Sequence, residues 1–271
     1  MQKTIAYLFL MTCSARLNAQ TAVLPESKHT FIVIAHRGDH VEVPENTIAA
    51  YENAIKNNVD YVEIDLRTTI DSVLVIMHDA TVDRMTNGKG KISDFTYSEL
   101  KKLKVIDKRK DSINIYSVPS FEEVLKTCRN RIHIYLDFKD ASVQQSYDMI
   151  KKYGMEKQVI VYINSASQFK EWRSLVPSMP VMLSLPDSIK NENQLKTFLA
   201  KYPLELLDGY YSDYTAEIVK TATGAGKTVW PDIQSLDEDH NWDKALELGF
   251  KGLQTDHTKA LIEYLKKKGL R

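Results

Sequence analysis

The sequence predicts an α/β fold, a (β/α)8 (TIM) barrel with an insertion after barrel strand 2. Three observations lead there. Eight short apolar, β-type runs alternate with helix-patterned segments across residues 30–268. No proline-rich or glycine-rich linker divides the 271 residues, so a single domain is expected over 20–271. The chemistry-bearing side chains sit at or just past the ends of the early runs, where barrels build their active sites. An open doubly wound sheet is the runner-up, weakened by the absence of a glycine-rich fingerprint after the first strand.

Residues 1–19 read as an export signal, with Lys3 as the positive start, an apolar stretch over 5–11, and Leu17-Asn18-Ala19 before a cleavage point at Gln20. That stretch is too short to span a bilayer and no later run is long enough, so a periplasmic or extracellular protein without a transmembrane segment is expected. Lipidation at Cys13 is the lesser alternative, because Thr12 fits poorly before a lipidated cysteine. Loss of 1–19 removes Lys3 and Arg16 and no acid, reducing the 36 basic side chains to 34 against 36 acidic. No basic field then remains to attract nucleic acid or anionic membrane. Cys128 is left as the sole cysteine, so no internal disulfide forms, and it is expected to be a small buried side chain. The oligomeric state is open.

The strand-like runs are 30–35, 61–67, 131–138, 159–163, 181–185, 207–211, 227–231 and 249–255. Helical patterning falls over 47–56, 120–127, 142–152, 167–175, 192–201, 215–223, 241–248 and 259–268, with Ser120, Ser142 and Ser167 as N-caps. One segment breaks the rhythm. Residues 73–78 read as an extra strand, and 79–118, with Gly88, Gly90 and a short helix at 97–103, read as an insertion covering the active site.

Side-chain alternation sets out the chemistry. Along 131–139, His133, Tyr135, Asp137 and Lys139 share one face, opposite Ile132, Ile134, Leu136 and Phe138, and His133 is expected one layer below the site. Glu63 and Asp65 likewise oppose Val62, Ile64 and Leu66. Burying such carboxylates unpaired costs several kcal/mol, so a cation is expected among them. Glu63, Asp65 and Asp137 can hold one Ca²⁺ or Mg²⁺ through oxygen. Arg37 can grip a phosphate as a planar fork, Lys139 is a second phosphate contact, and His36 and His78 are the candidate acid–base pair. Glu45 and Asn46, nearby in the first loop, can orient His36 or the waters of a metal. Together these residues are equipment for cleaving a phosphate ester.

The ordered set of motifs resembles the glycerophosphodiester phosphodiesterase family, from about residue 31 to the C-terminus. Ala35-His36-Arg37-Gly38 and Pro44-Glu45-Asn46-Thr47 look like its opening signature, and Glu63 to Thr69 followed by Met77-His78-Asp79 looks like its metal-and-histidine signature. Residues 83–90 and 118–125 resemble the family's insertion and the stretch after it. Asp137 and Lys139 stand where the family has an acidic-x-Lys pair, and Trp230 and Gly252 to Asp256 resemble its closing elements. The resemblance implies one divalent metal at Glu63, Asp65 and Asp137, substrate contact at Trp230, and attack by a glycerol hydroxyl to give a cyclic phosphate that water opens. The products would be sn-glycerol 3-phosphate and an alcohol, from a small-molecule glycerophosphodiester.

Three positions depart from the pattern. Asp137 replaces the usual glutamate, Asp71-Ser72 replaces the usual Asp-Gly turn, and Pro231-Asp232-Ile233 follows Trp230 where Thr-Val-Asn is frequent. The Asp-x-Lys pair also permits a lysophospholipase D or phosphoinositide-type phosphodiesterase. A non-catalytic phosphate-ligand binding protein would need a damaged catalytic set, and this one is complete.

Overall fold

The computed structural model of the chain describes residues 22–107 and 116–271. The expected leader, Cys13 and residues 108–115 of the insertion lie outside them. The chain starts with β1 (Ile32–Ala35), α1 (Ile48–Lys56), β2 (Tyr61–Thr68) and β3 (Leu74–Ile76), then runs through α2 (Tyr97–Leu100) and α3 (Phe121–Cys128). Strict alternation follows, with β4 (His133–Phe138), α4 (Val143–Lys152), β5 (Val159–Ile163), α5 (Ala166–Leu175), β6 (Val181–Ser184) and α6 (Glu192–Lys201). It ends with β7 (Leu206–Asp208), α7 (Ala216–Gly224), β8 (Thr228–Val229), α8 (Trp242–Glu247), β9 (Gly252–Thr255) and α9 (Thr258–Lys267).

Eight of the strands form a parallel ring in the order β8-β7-β6-β5-β4-β2-β1-β9, so all eight expected barrel strands are present. Asp232, just past β8, closes it by bridging to both Tyr210 and Gln254. The backbone bonds Gln254 N to Pro231 O (3.0 Å) and Ile233 N to Gln254 O (3.0 Å) seal that seam. β3 pairs antiparallel with β2, off the ring, and carries the insertion. Val75, Met77, Val82, Ile92, Leu100, Val105 and Val118 give that insertion its own small apolar core.

The main core lies between the outer face of the strands and the helices, and a second plug fills the lumen. Both follow from the period-two alternation of each strand. Helix starts follow local capping. Thr47, Ser120 and Ser142 each accept a bond from the backbone three residues on, and Ser120 with Glu123 completes a capping box. The cap of α5 is Ser165, not Ser167, because Ser165 holds the extended backbone a cap requires. The insertion helix is one turn, shorter than expected. Cys128 is fully buried, which pushes its thiol up to about 12.

Gly38 makes the turn that presents the first loop. Its φ of +83° is left-handed, and a Cβ there would lie 2.7 Å from Ala50 Cβ. Gly38→Ala is therefore expected to destabilise the protein by roughly 2–3 kcal/mol, from backbone strain plus overpacking. An unchanged denaturation midpoint would contradict this.

Candidate active site

The site begins with three carboxylates on two adjacent strands. β2 and β4 run parallel with Asp65 opposite Asp137 and Glu63 opposite Tyr135. Glu63 (3% exposed) and Asp65 (1%) point into the lumen, and one oxygen from each of Glu63, Asp65 and Asp137 falls within 4.8 Å of the others. Burial, then the nearby Asp65 and Asp137, pushes the Glu63 carboxyl well above the usual range. Asp137 is also raised by burial, against the pull of Lys139.

Each carboxylate is held by its own partners. Asn46 Nδ2 donates to Asp65 Oδ2 (2.7 Å), and Tyr51 OH fixes Asn46 by donating to its Oδ1 (2.9 Å). Asn164 Nδ2 donates to Asp137 Oδ1 (2.8 Å). The Arg37 backbone N–H donates to Glu63 Oε2 (2.7 Å). Lys139 Nζ pairs with Asp137 and lies 3.1 Å from Asp65 Oδ1, without hydrogen-bond geometry, so that buried oxygen has no hydrogen bond. An all-oxygen donor set, buried and charge-repelling, with one oxygen unsatisfied, fits a hard divalent cation. Three carboxylates against Arg37 and Lys139 leave a deficit of one positive charge, which a dication more than offsets.

Arg37 (φ +53°) and Asn46 (φ +53°) both take left-handed backbone in the β1–α1 loop, tied by Asn46 N to Arg37 O (2.9 Å). This strained loop aims Arg37 into the site. Its NH1 donates to Glu45 Oε1 (3.0 Å), while Nε, 3.7 Å from Asp65 Oδ2, is buried without a hydrogen bond. That donor is left without a protein hydrogen-bond partner. Burial acts to raise the Glu45 carboxyl, but the Arg84 hydrogen bonds and the charges of Arg37 and Arg84 hold it down at about 2.

Each histidine has its own carboxylate. His36 Nδ1 lies 2.7 Å from Asp256 Oδ1, which His40 Nε2 also approaches at 3.1 Å. His78 Nδ1 lies 2.8 Å from Asp79 Oδ1, and Arg84 clamps Asp79 through Nε (2.8 Å) and NH2 (3.0 Å). Burial works against the ionised form of Asp256, but hydrogen bonds from His36 and His40 keep it far below the carboxylate range. Asp79 is held equally low, chiefly by its Arg84 hydrogen bonds. Ionised carboxylates only accept, so Nδ1 of each ring carries the proton and Nε2 is left to act. Arg67 fixes the His78 backbone by donating from NH2 to its carbonyl (2.6 Å).

The structure thus gathers Arg37, Glu63, Asp65, Asp137 and Lys139 into one cluster and gives His36 and His78 separate carboxylate supports. Several expected positions differ. Of the two roles expected for Glu45 and Asn46, contact with His36 is not made; they hold Arg37, Arg84 and the carboxylate Asp65. Trp230, expected at the substrate, is 5% exposed and packs in the lumen plug against the Tyr61 ring (5.1 Å) and over Gly252, whose added Cβ would strike it. Gly252 pairs with Ile32 at the start of β1, so Trp230 belongs to the far end of the barrel from His36. Asp232, two residues on and on the same face, takes the upper position. His133 is paired with Tyr61, one layer below Glu63 at the foot of the carboxylate cluster, as expected, and bonds to Glu26 O (2.9 Å).

Sequence reasoning missed the roles of Asp79, Arg84 and Asp256. The adjacency of His78 and Asp79, and the position of Asp256 just past the last strand-like run, were the available signals.

Comparison with known proteins bears on this arrangement. Residues 36–260 match the model of the Glycerophosphoryl diester phosphodiesterase family. A glycerophosphodiester phosphodiesterase of Caldanaerobacter subterraneus subsp. tengcongensis is 29% identical over 245 residues, 88% of this chain and 99% of that protein. One from Bacillus subtilis is 29% identical over 234 residues, 79% and 72% of the two chains. The solved structure of an Oleispira antarctica phosphodiesterase, in complex with the product sn-glycerol-3-phosphate, superposes with a TM-score of 0.78 at 20% identity, covering 87% of this chain and 96% of that one.

Proposed function

This chain belongs to the Glycerophosphoryl diester phosphodiesterase family, and we propose that it hydrolyses small glycerophosphodiesters to sn-glycerol 3-phosphate and an alcohol by metal-dependent histidine catalysis. Its class as a phosphodiesterase follows from the family and from its named relatives. The observation that carries the finer reading is the buried Glu63–Asp65–Asp137 trio within 4.8 Å, framed by two histidine–aspartate pairs. The product bound to the Oleispira antarctica protein supports the choice of sn-glycerol 3-phosphate.

Glu63, Asp65 and Asp137 would hold one Ca²⁺ or Mg²⁺, which when bound supplies positive charge to polarise a phosphoryl oxygen. Arg37 offers its unpartnered Nε, and Lys139 its ammonium, to the phosphate. One imidazole accepts the proton of the attacking glycerol hydroxyl at Nε2, and the other protonates the departing alcohol. Water then opens the resulting cyclic phosphate with the two roles exchanged.

A lysophospholipase D reading draws on exposed apolar side chains in the described loops, Tyr210 after β7 and Leu236 after β8. One assay separates the two. Metal-stripped protein is expected to release sn-glycerol 3-phosphate from glycerophosphocholine only after Ca²⁺ or Mg²⁺ is restored, and faster than it cleaves lysophosphatidylcholine. Undiminished turnover after full chelation would sink the metal-dependent reading, and the reverse substrate order would favour the lipid.

A further inference from the structure

Two carboxylates of the lumen take no part in the chemistry above. Asp208 ends β7, and Asp232 lies in the Pro231-Asp232-Ile233 stretch that seals the barrel after β8. Asp208 is 3% exposed; its Oδ2 accepts from Tyr135 OH (2.6 Å), while its Oδ1 is buried with no hydrogen-bond partner. Asp232 Oδ1 accepts from Gln254 Nε2 and from Gln234 Nε2 (3.2 Å). Gln254, 4% exposed, leaves its own Oε1 buried and unpartnered.

This arrangement is the electrical inverse of the phosphate side. Glu63, Asp65 and Asp137 have Arg37 and Lys139 beside them, whereas among the described residues neither Asp208 nor Asp232 forms a salt bridge. Burial, then the presence of Asp232, raises the Asp208 carboxyl well above its usual range, and burial raises Asp232. Asp232 bridges to Gln254, whose partner Ile34 on β1 lies two residues before His36, so Asp232 stands beside the reacting centre. Unused acceptors and negative charge repel a phosphate and call for a group carrying both donors and positive charge. A primary ammonium supplies both, with three N–H donors and no acceptor. A quaternary ammonium brings charge without N–H donors, and a polyol brings donors without charge.

We propose that Asp208, Asp232 and Gln254 form a subsite for a primary ammonium on the departing alcohol, so that ethanolamine-type glycerophosphodiesters are the preferred substrates. The proposal rests on the phosphodiesterase reading of the neighbouring site and names its substrate class. Asp232 is then a specificity-determining residue rather than a catalytic one.

The test compares kcat/KM for glycerophosphoethanolamine, glycerophosphocholine and glycerophosphoglycerol, in the wild type and in Asp232→Asn. The wild type is expected to favour the ethanolamine ester over each of the others by about tenfold, close to 1.4 kcal/mol. Asp232→Asn is expected to bring that ratio to about threefold or less, mainly through KM of the ethanolamine ester. Equal wild-type values, a preference for choline or glycerol, or an unchanged ratio in the variant would each overturn the subsite. Asp208→Asn provides the same comparison if Asp232→Asn does not fold. Turnover of none of the three esters in the presence of metal would instead refute the hydrolase reading. Calorimetry with the ethanolamine and choline esters then still decides the subsite, tighter binding of the former supporting it and equal binding overturning it.

Discussion

Glu63→Gln is expected to lower turnover by on the order of 10³-fold while making the metal-free protein more stable. Both effects come from one buried charge. Glu63 is crowded by Asp65 and Asp137, and burial followed by those two charges raises its carboxyl; the Arg37 charge and N–H oppose them. The folded protein therefore holds a proton on Glu63 at pH values where the unfolded chain, with an ordinary value of 4.5, has lost it. A raised folded-state value means that the stability is fully present below pH 4.5 and is lost as pH climbs through the raised value. Glutamine has no proton to lose and still accepts from the Arg37 N–H. The advantage of the variant should thus be absent at low pH and grow above 4.5.

A divalent cation should reverse the order. It stabilises the parent by binding only the folded state, and it finds one ligand fewer in Glu63→Gln. Melting temperatures across pH, with chelator and with added Ca²⁺ or Mg²⁺, measure both arms. Retained activity, or a variant less stable than the parent without metal at every pH, would show that these carboxylates are not a cation site.

His36→Ala and His78→Ala are each expected to lower kcat by roughly 10²–10⁴-fold, the range for loss of a general acid or base. The proton on each Nδ1 is committed to an ionised aspartate, at 2.7 Å for His36 and 2.8 Å for His78. That leaves Nε2 of each ring for the substrate. The parent should show a bell-shaped dependence of kcat/KM on pH, and each single variant should lose one limb of it. Asp256→Asn should have a smaller effect on kcat and shift the limb that belongs to His36, because it removes the charge that orients and stabilises the imidazolium. Normal turnover by both alanine variants would dismiss the pair. An Asp256→Asn profile superimposable on the parent would dismiss Asp256 as a positioning residue.

Much of this site was legible beforehand, for a physical reason. Strand alternation repeats every two residues and caps act over three, so a short window of sequence contains all the information needed to place Glu63, Asp65 and Asp137 on inward faces and to start α1, α3 and α4 at Thr47, Ser120 and Ser142. The exception at α5 is of the same local kind, two serines both within reach of the cap.

Depth and partnership are set at longer range. Trp230 and Asp232 share a face, and nothing within eight residues of β8 says which of them stands near His36. That depends on how far each strand is shifted along its neighbours, which is settled only when Asp232 bridges Tyr210 and Gln254.

The sequence by itself therefore determined the barrel, its insertion and the residue types that meet at its mouth, because those follow from periodicity, capping and the cost of burying charge. The tertiary structure alone decided which carboxylate serves which donor. His36 and Asp256 are 220 residues apart, Arg84 and Glu45 are 39 apart, and Tyr135 and Asp208 are 73 apart. Separations of that size exceed any local pattern, so those partnerships were settled only when ring closure brought the strands together.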